Sequence, residues 1–102
     1  MNKVFLGIGT NLGDRAANIK KAYQLIEKYM GQITLQSSCY ETAPWGVLDQ
    51  PNFINSCIAI ETDLSPIVLL NKITLIEKEI VMSVNKFFSV PCTSFVKYFL
   101  IL

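Results

Sequence analysis

An α+β sandwich, one antiparallel sheet with two helices on a single face, is the fold class this chain predicts. Three observations predict it. Apolar residues recur at spacings of three and four over residues 15–30 and again over 69–80, the helical period. Apolar and polar residues alternate over 53–62, the period of a strand. The segments follow in the order strand, helix, strand, strand, helix, and one further strand would complete a ferredoxin-like sandwich.

Each element has its own warrant. Lys3 to Gly9 is a short apolar run ended by glycine, which predicts a buried first strand. Asn11 to Asp14 turns the chain, and Asp14 is a good N-cap. Ile19, Ala22, Tyr23, Ile26 and Met30 make one face of a helix over 15–30, and Gly31 stands where a helix end wants a left-handed residue. Gln32 to Thr42 reads as one longer strand. Phe53 to Thr62 alternates, with Ile54, Ile58 and Ile60 on one face and Phe53, Asn55, Cys57 and Ala59 on the other. Ser65-Pro66 is an N-cap followed by proline at the first helical position. Leu69, Leu70, Ile73, Leu75, Ile76 and Ile80 then form a broad apolar stripe.

Residues 81–102 ought to supply the last strand and fit it poorly. Thr93 to Leu102 is apolar and β-prone but lacks alternation. It is too short to span a bilayer, which takes about 20 apolar residues. Its low charge marks it as aggregation-prone if exposed.

Composition bounds the function. The 102 residues, 51% hydrophobic, are enough for one domain with a modest core. A net charge of +1 gives no basic field, so neither nucleic acid nor an anionic membrane is an expected partner. Cys39, Cys57 and Cys92 form no CxxC pair and the chain holds no His, so a zinc site or a Cys/His pair is not expected. The cysteines read as reduced residues packed as small hydrophobes in a cytoplasmic protein without a signal peptide.

The feature richest in information is the loop between the two long strands. Residues 40–55 hold Pro44, Pro51, Gly46 and Trp45, the only tryptophan, and such density of shape-fixing residues marks a binding site. Phe53 and Asn55 project from the same face of one strand. An aromatic ring beside a carboxamide suits a flat heterocycle, the ring stacking and the amide offering a donor and an acceptor to its edge. Main-chain groups around Thr42 to Trp45 could complete that frame. Equally, the aromatic could sit half in the core while the Asn satisfies local backbone.

Other motifs carry less. Gly7-Ile-Gly9-Thr-Asn-Leu-Gly13 follows a strand and precedes a helix, but it is one residue longer than GxGxxG and lacks the later acid of a dinucleotide fold. Its glycines are better explained by a tight turn and close strand–helix packing. Glu77, at the edge of the second helix stripe, has the position of a solvated flank carboxylate.

Taken in order, several stretches resemble the 6-hydroxymethyl-7,8-dihydropterin pyrophosphokinase family of folate biosynthesis. They are Leu6 to Arg15, Ser38 to Gly46, Asp49 to Asn55, Leu64 to Pro66, and Leu69 to Asn71 with Ile76-Glu77. The resemblance implies the ferredoxin-like fold and transfer of a pyrophosphoryl group from ATP to the pterin hydroxymethyl oxygen, releasing AMP. It implies that Thr42, Ala43 and Trp45 frame the pterin, that Phe53 stacks on it and that Asn55 pairs with its edge. It places Glu77 on the ATP side. The implied partners are small molecules, pterin and ATP with magnesium, acting on a monomer.

The chain departs from the family after Glu77. The family continues with an arginine-rich run, a flexible loop and an Asp-x-Asp pair for two magnesium ions, whereas Val81 to Asn85 stands here and no Asp, Glu or Arg follows Glu79. The expectation is therefore a family unit over 1–80, a non-family tail over 81–102 with the final family strands truncated or replaced, no retained catalytic residue and no magnesium ligands. Such a tail looks like an out-of-frame end of the coding sequence. Activity would be impaired, since phosphoryl transfer depends on positioned cations. The alternative is a non-catalytic pterin-binding or protein-interaction module, and aggregation or complementation by a second chain are the alternatives to a monomer.

Overall fold

The computed structural model describes residues 1–11, 13–43, 51–85 and 96–101. Its elements are β1 (Asn2–Thr10), α1 (Arg15–Tyr29), β2 (Gln32–Gln36), β3 (Tyr40–Thr42), β4 (Phe53–Thr62), α2 (Pro66–Asn85) and β5 (Val96–Ile101). The sheet runs β2-β4-β1-β5, with β3 also paired to β4. Every pairing is antiparallel. This is the predicted α+β arrangement, consistent with the ferredoxin-like fold.

Alternation decides which side of the sheet is core. Val4, Leu6 and Ile8 of β1 and Ile58 and Ile60 of β4 are buried together with Ile19, Ala22, Leu25 and Ile26 of α1 and Leu69, Ile73, Ile76 and Ile80 of α2. Both helices therefore cover one face and leave the other open. Burying each large aliphatic side chain stabilises the fold by roughly 1.5–3 kcal/mol. Polar groups inside are paired: Asn18 Nδ2 donates to Thr10 Oγ1 at 3.1 Å, Thr62 Oγ1 to the Met30 carbonyl at 2.6 Å, and Tyr23 shares a hydrogen bond with Ser56.

Helix starts follow the expected caps. Asp14 is extended and its carboxylate accepts from the Ala17 N–H at 3.0 Å. Ser65 Oγ accepts from the Val68 N–H at 3.4 Å ahead of Pro66.

Four expectations are corrected. The long strand over 32–42 is two, β2 and β3, because Ser37 turns inward to the ladder: its N–H donates to the Cys57 carbonyl and its Oγ accepts from the Cys57 N–H, both at 2.8 Å. Among the described residues the glycine with positive φ is Gly13, at 62°, and not Gly31. Gly31 serves close approach instead, since a Cβ there would lie 2.2 Å from the Glu61 carbonyl oxygen. Gly9 packs against side chains of β4 on the open face rather than against a helix. Finally, the poorly patterned tail does supply the last strand: Val96–Ile101 pairs with Phe5–Thr10, because a β-prone run satisfies the open ladder of β1 whatever its alternation.

Candidate functional site

The site lies on the open face, at the end of the sheet where β3 and β4 meet the intervening loop. Phe53, Asn55 and Cys57 project there from β4, on the side opposite the core residues Ser56 and Ile58. Register sets their neighbours. Thr42 lies opposite Phe53 on β3, and Gly9 lies opposite Asn55 on β1. Thr42 is thus the diagonal neighbour of Asn55, within side-chain reach. Asn55 Nδ2 donates to Thr42 Oγ1 at 2.6 Å.

The result is a small polar edge beside an aromatic wall. Phe53 and Asn55 are half-buried and Thr42 is exposed. With one N–H spent on Thr42, the carboxamide keeps its second N–H and its carbonyl oxygen, and the Thr42 hydroxyl keeps its proton. A planar ligand on Phe53 would therefore meet donors and an acceptor side by side. The local-backbone role open to Asn55 from sequence is not the one seen, since its partner is a side-chain hydroxyl.

The loop that follows β3 is held at both stems by one residue. Arg15 Nη1 donates to Glu41 Oε2 and to the Asn52 carbonyl, each at 2.8 Å. Asn11 Nδ2 donates to the Pro51 carbonyl at 3.4 Å. The turn after β1 and the first residue of α1 thereby fix where the loop leaves and rejoins the sheet. Sequence reasoning missed this role of Arg15, because its partners lie 26 and 37 positions away and no local pattern announces them. It also missed Gly9, although the alternate glycines Gly7 and Gly9 were a signal that one sheet face is kept bare.

Of the remaining expected site residues, Ala43 follows β3 directly and is exposed. Trp45 lies outside the described residues. Glu77 sits half-buried on α2, in the helix layer across the sheet from Phe53 and Asn55. Burial raises the Glu77 carboxyl above its ordinary value. Near the site, a hydrogen bond with Cys57, whose Sγ is 4.0 Å from the hydroxyl, raises the Tyr40 phenol. Burial raises that of Tyr23. Cys39 and Cys57 are free and exposed, so these two are not packed as the small hydrophobes expected. Among the described residues there is no group of three or more His, Cys, Asp or Glu that could hold a metal ion, and no helix long and apolar enough to cross a membrane.

Comparison with known proteins places the chain in a family. The profile of 7,8-dihydro-6-hydroxymethylpterin-pyrophosphokinase (HPPK) matches residues 5–90. The folate synthesis bifunctional protein, mitochondrial, of Pisum sativum is 44% identical over 77 residues, which cover 76% of this chain and 15% of the relative. The 2-amino-4-hydroxy-6-hydroxymethyldihydropteridine pyrophosphokinases of Aquifex aeolicus and Methylorubrum extorquens are 41% and 38% identical over 80 and 78 residues, covering 78% and 76% of this chain. The chain spans about half the length of these two bacterial relatives, 49% in each case. With the match extending over β1, both helices and the open-face site, the chain belongs to the 7,8-dihydro-6-hydroxymethylpterin-pyrophosphokinase family.

Proposed function

We propose that the open-face site is the pterin-accepting half of an ATP-dependent pyrophosphokinase. In the reaction, the hydroxymethyl oxygen of 6-hydroxymethyl-7,8-dihydropterin bonds to the β-phosphorus of ATP, the bridging oxygen leaves with AMP, and the hydroxymethyl proton is lost. Phe53 stacks on the bicyclic ring, Asn55 and Thr42 face its amino-oxo edge, and Ala43 and Trp45 close the frame from the loop. Glu77 belongs to the ATP side. The observation that carries this reading is the 2.6 Å bond from Asn55 to Thr42 beside Phe53, which presents an ordered donor–acceptor edge next to a stacking ring.

The phosphate half is a different matter. Stabilising charge on transferring phosphates requires magnesium or arginine groups, each worth about 10²–10⁵ in rate. Arg15 is the chain's one arginine, and Lys86 and Lys97 are the charges after Glu79. We infer a pterin binder whose turnover is impaired or absent, and expect it to act as a monomer in the cytoplasm.

Two measurements test this. Titrating the Trp45 fluorescence with the pterin should give a saturable change, and an unchanged signal with no heat of binding by calorimetry would sink the assignment of the site. A coupled assay for AMP release should give rates at least about 10²-fold below a complete family enzyme. Equal rates would remove the second claim and leave the first standing.

A further inference from the structure

We propose that Gly9 is a positioning residue for this site: the absence of a side chain there fixes which way the Asn55 carboxamide faces, and so which ligand edge is preferred. The proposal deepens the pterin reading and rests on it.

The argument starts from register. Gly9 and Asn55 are direct cross-strand partners, and Gly9 projects toward the open face. A Cβ built on Gly9 would lie 2.9 Å from Asn55 Oδ1 and 3.7 Å from Phe53 Cδ1. The second distance is ordinary contact, so the ring could stay. The first is inside van der Waals contact, so the carboxamide oxygen could not. The group that must yield is the end of a side chain rather than backbone, which makes the substitution tolerable for the fold and damaging for the site.

Asn55 has two unlike ends. Its nitrogen is held by Thr42 Oγ1 at 2.6 Å, and its oxygen occupies the space that Gly9 leaves empty. A methyl group at position 9 would rotate the amide or exchange its ends, breaking the bond to Thr42 and altering the order of donor and acceptor offered to a ligand. Stacking on Phe53 would remain. The loss should therefore fall on edge recognition: a ligand with the 2-amino-4-oxo edge suffers more than a 2,4-dioxo pteridine, which differs only there.

The test is a cycle of Gly9→Ala and Asn55→Ala in the full chain, read by binding of the pterin and of its 2,4-dioxo analogue. Gly9→Ala should weaken pterin binding about 10- to 100-fold and narrow the preference over the analogue. In the Asn55→Ala background it should add almost nothing. An unchanged affinity, or an equal loss without Asn55, overturns the proposal. If Gly9→Ala does not fold, adding Asn55→Ser should restore folding by removing the contact, and failure to do so overturns it. If the unmodified chain binds no pterin, the parent assignment fails. Gly9 is then judged by the Asn55 side-chain amide resonances, which must move in Gly9→Ala if the contact governs the carboxamide and refute the proposal if they do not.

Discussion

At the scale of single residues, the chain separates groups that hold the fold from groups held ready for a ligand. Ser56 and Asn55 are neighbours on β4, yet one is buried and bonded to Tyr23 while the other faces outward and is bonded to Thr42. A strand does this without added machinery, because successive side chains take opposite faces. Glu77 shows the same tension on a helix. It is half-buried and its carboxyl titrates higher than an exposed one, with burial as the cause. A carboxyl whose value is raised in the folded state binds protons more tightly there than when unfolded. Its contribution to stability is thus fully present below the unfolded carboxylate value and is lost as pH rises through the folded one. Glu77→Gln should therefore melt at or above the parent at neutral pH, with the difference closing toward pH 4, about the unfolded carboxylate value. Melting curves across that range check this, and a variant that is less stable at neutral pH would show that the carboxylate has a stabilising partner.

At the scale of elements, the packing of strand against helix end is tightest at Gly31. The turn after α1 passes over β4 so closely that a Cβ on Gly31 would sit 2.2 Å from the Glu61 oxygen and 3.1 Å from Thr62 Cβ. Thr62 also donates to the Met30 carbonyl next to it. Neither backbone can retreat without breaking that bond or the β4 ladder. Gly31→Ala should destabilise the protein by about 1–3 kcal/mol, lowering the melting temperature by roughly 4–8 °C per kcal/mol. A melting temperature unchanged by the substitution would show that the turn is slack. This contact also marks the limit of what a sequence discloses. Helices were legible because their apolar period is local, and β4 because Ile54, Ile58 and Ile60 fall on one face of a period-two run. The Asp14 cap was legible from its side-chain chemistry. The break at 37–39 was not, since Ser37 is drawn to Cys57 by a strand 20 positions away. Gly31 was misread for the same reason: a glycine after a helix suggests a left-handed turn locally, while its true constraint comes from β4. The site followed the same division, with Phe53 and Asn55 visible on one strand, Gly9 hinted at only by its alternation with Gly7, and Arg15 invisible until the loop stems were brought together.

At the scale of the whole molecule, the sheet is closed on one side by an element whose sequence gives little warning of it. Residues 96–101 pair with β1 from Thr10 to Phe5. Without that pairing β1 would become an edge, presenting unpaired N–H and C=O groups along an apolar strand that also carries the exposed Phe5. A chain ended after Asn85 keeps α1, α2 and the β3–β4 site but loses β5. It should associate with itself through the bared edge of β1, the sedimentation coefficient rising with concentration while the full chain's stays constant. Lys introduced at Phe5 in the shortened chain should suppress that association, because a charge on an edge strand opposes pairing with a second copy. A shortened chain that stays monomeric and melts where the full chain does would mean that β5 contributes nothing to the sheet. Pterin binding offers the finer discrimination. Gly9 lies between Asn55 on β4 and Lys97 on β5, so a shortened chain that still binds would place the ligand site in the β1–β3–β4 unit and leave β5 with a purely protective task.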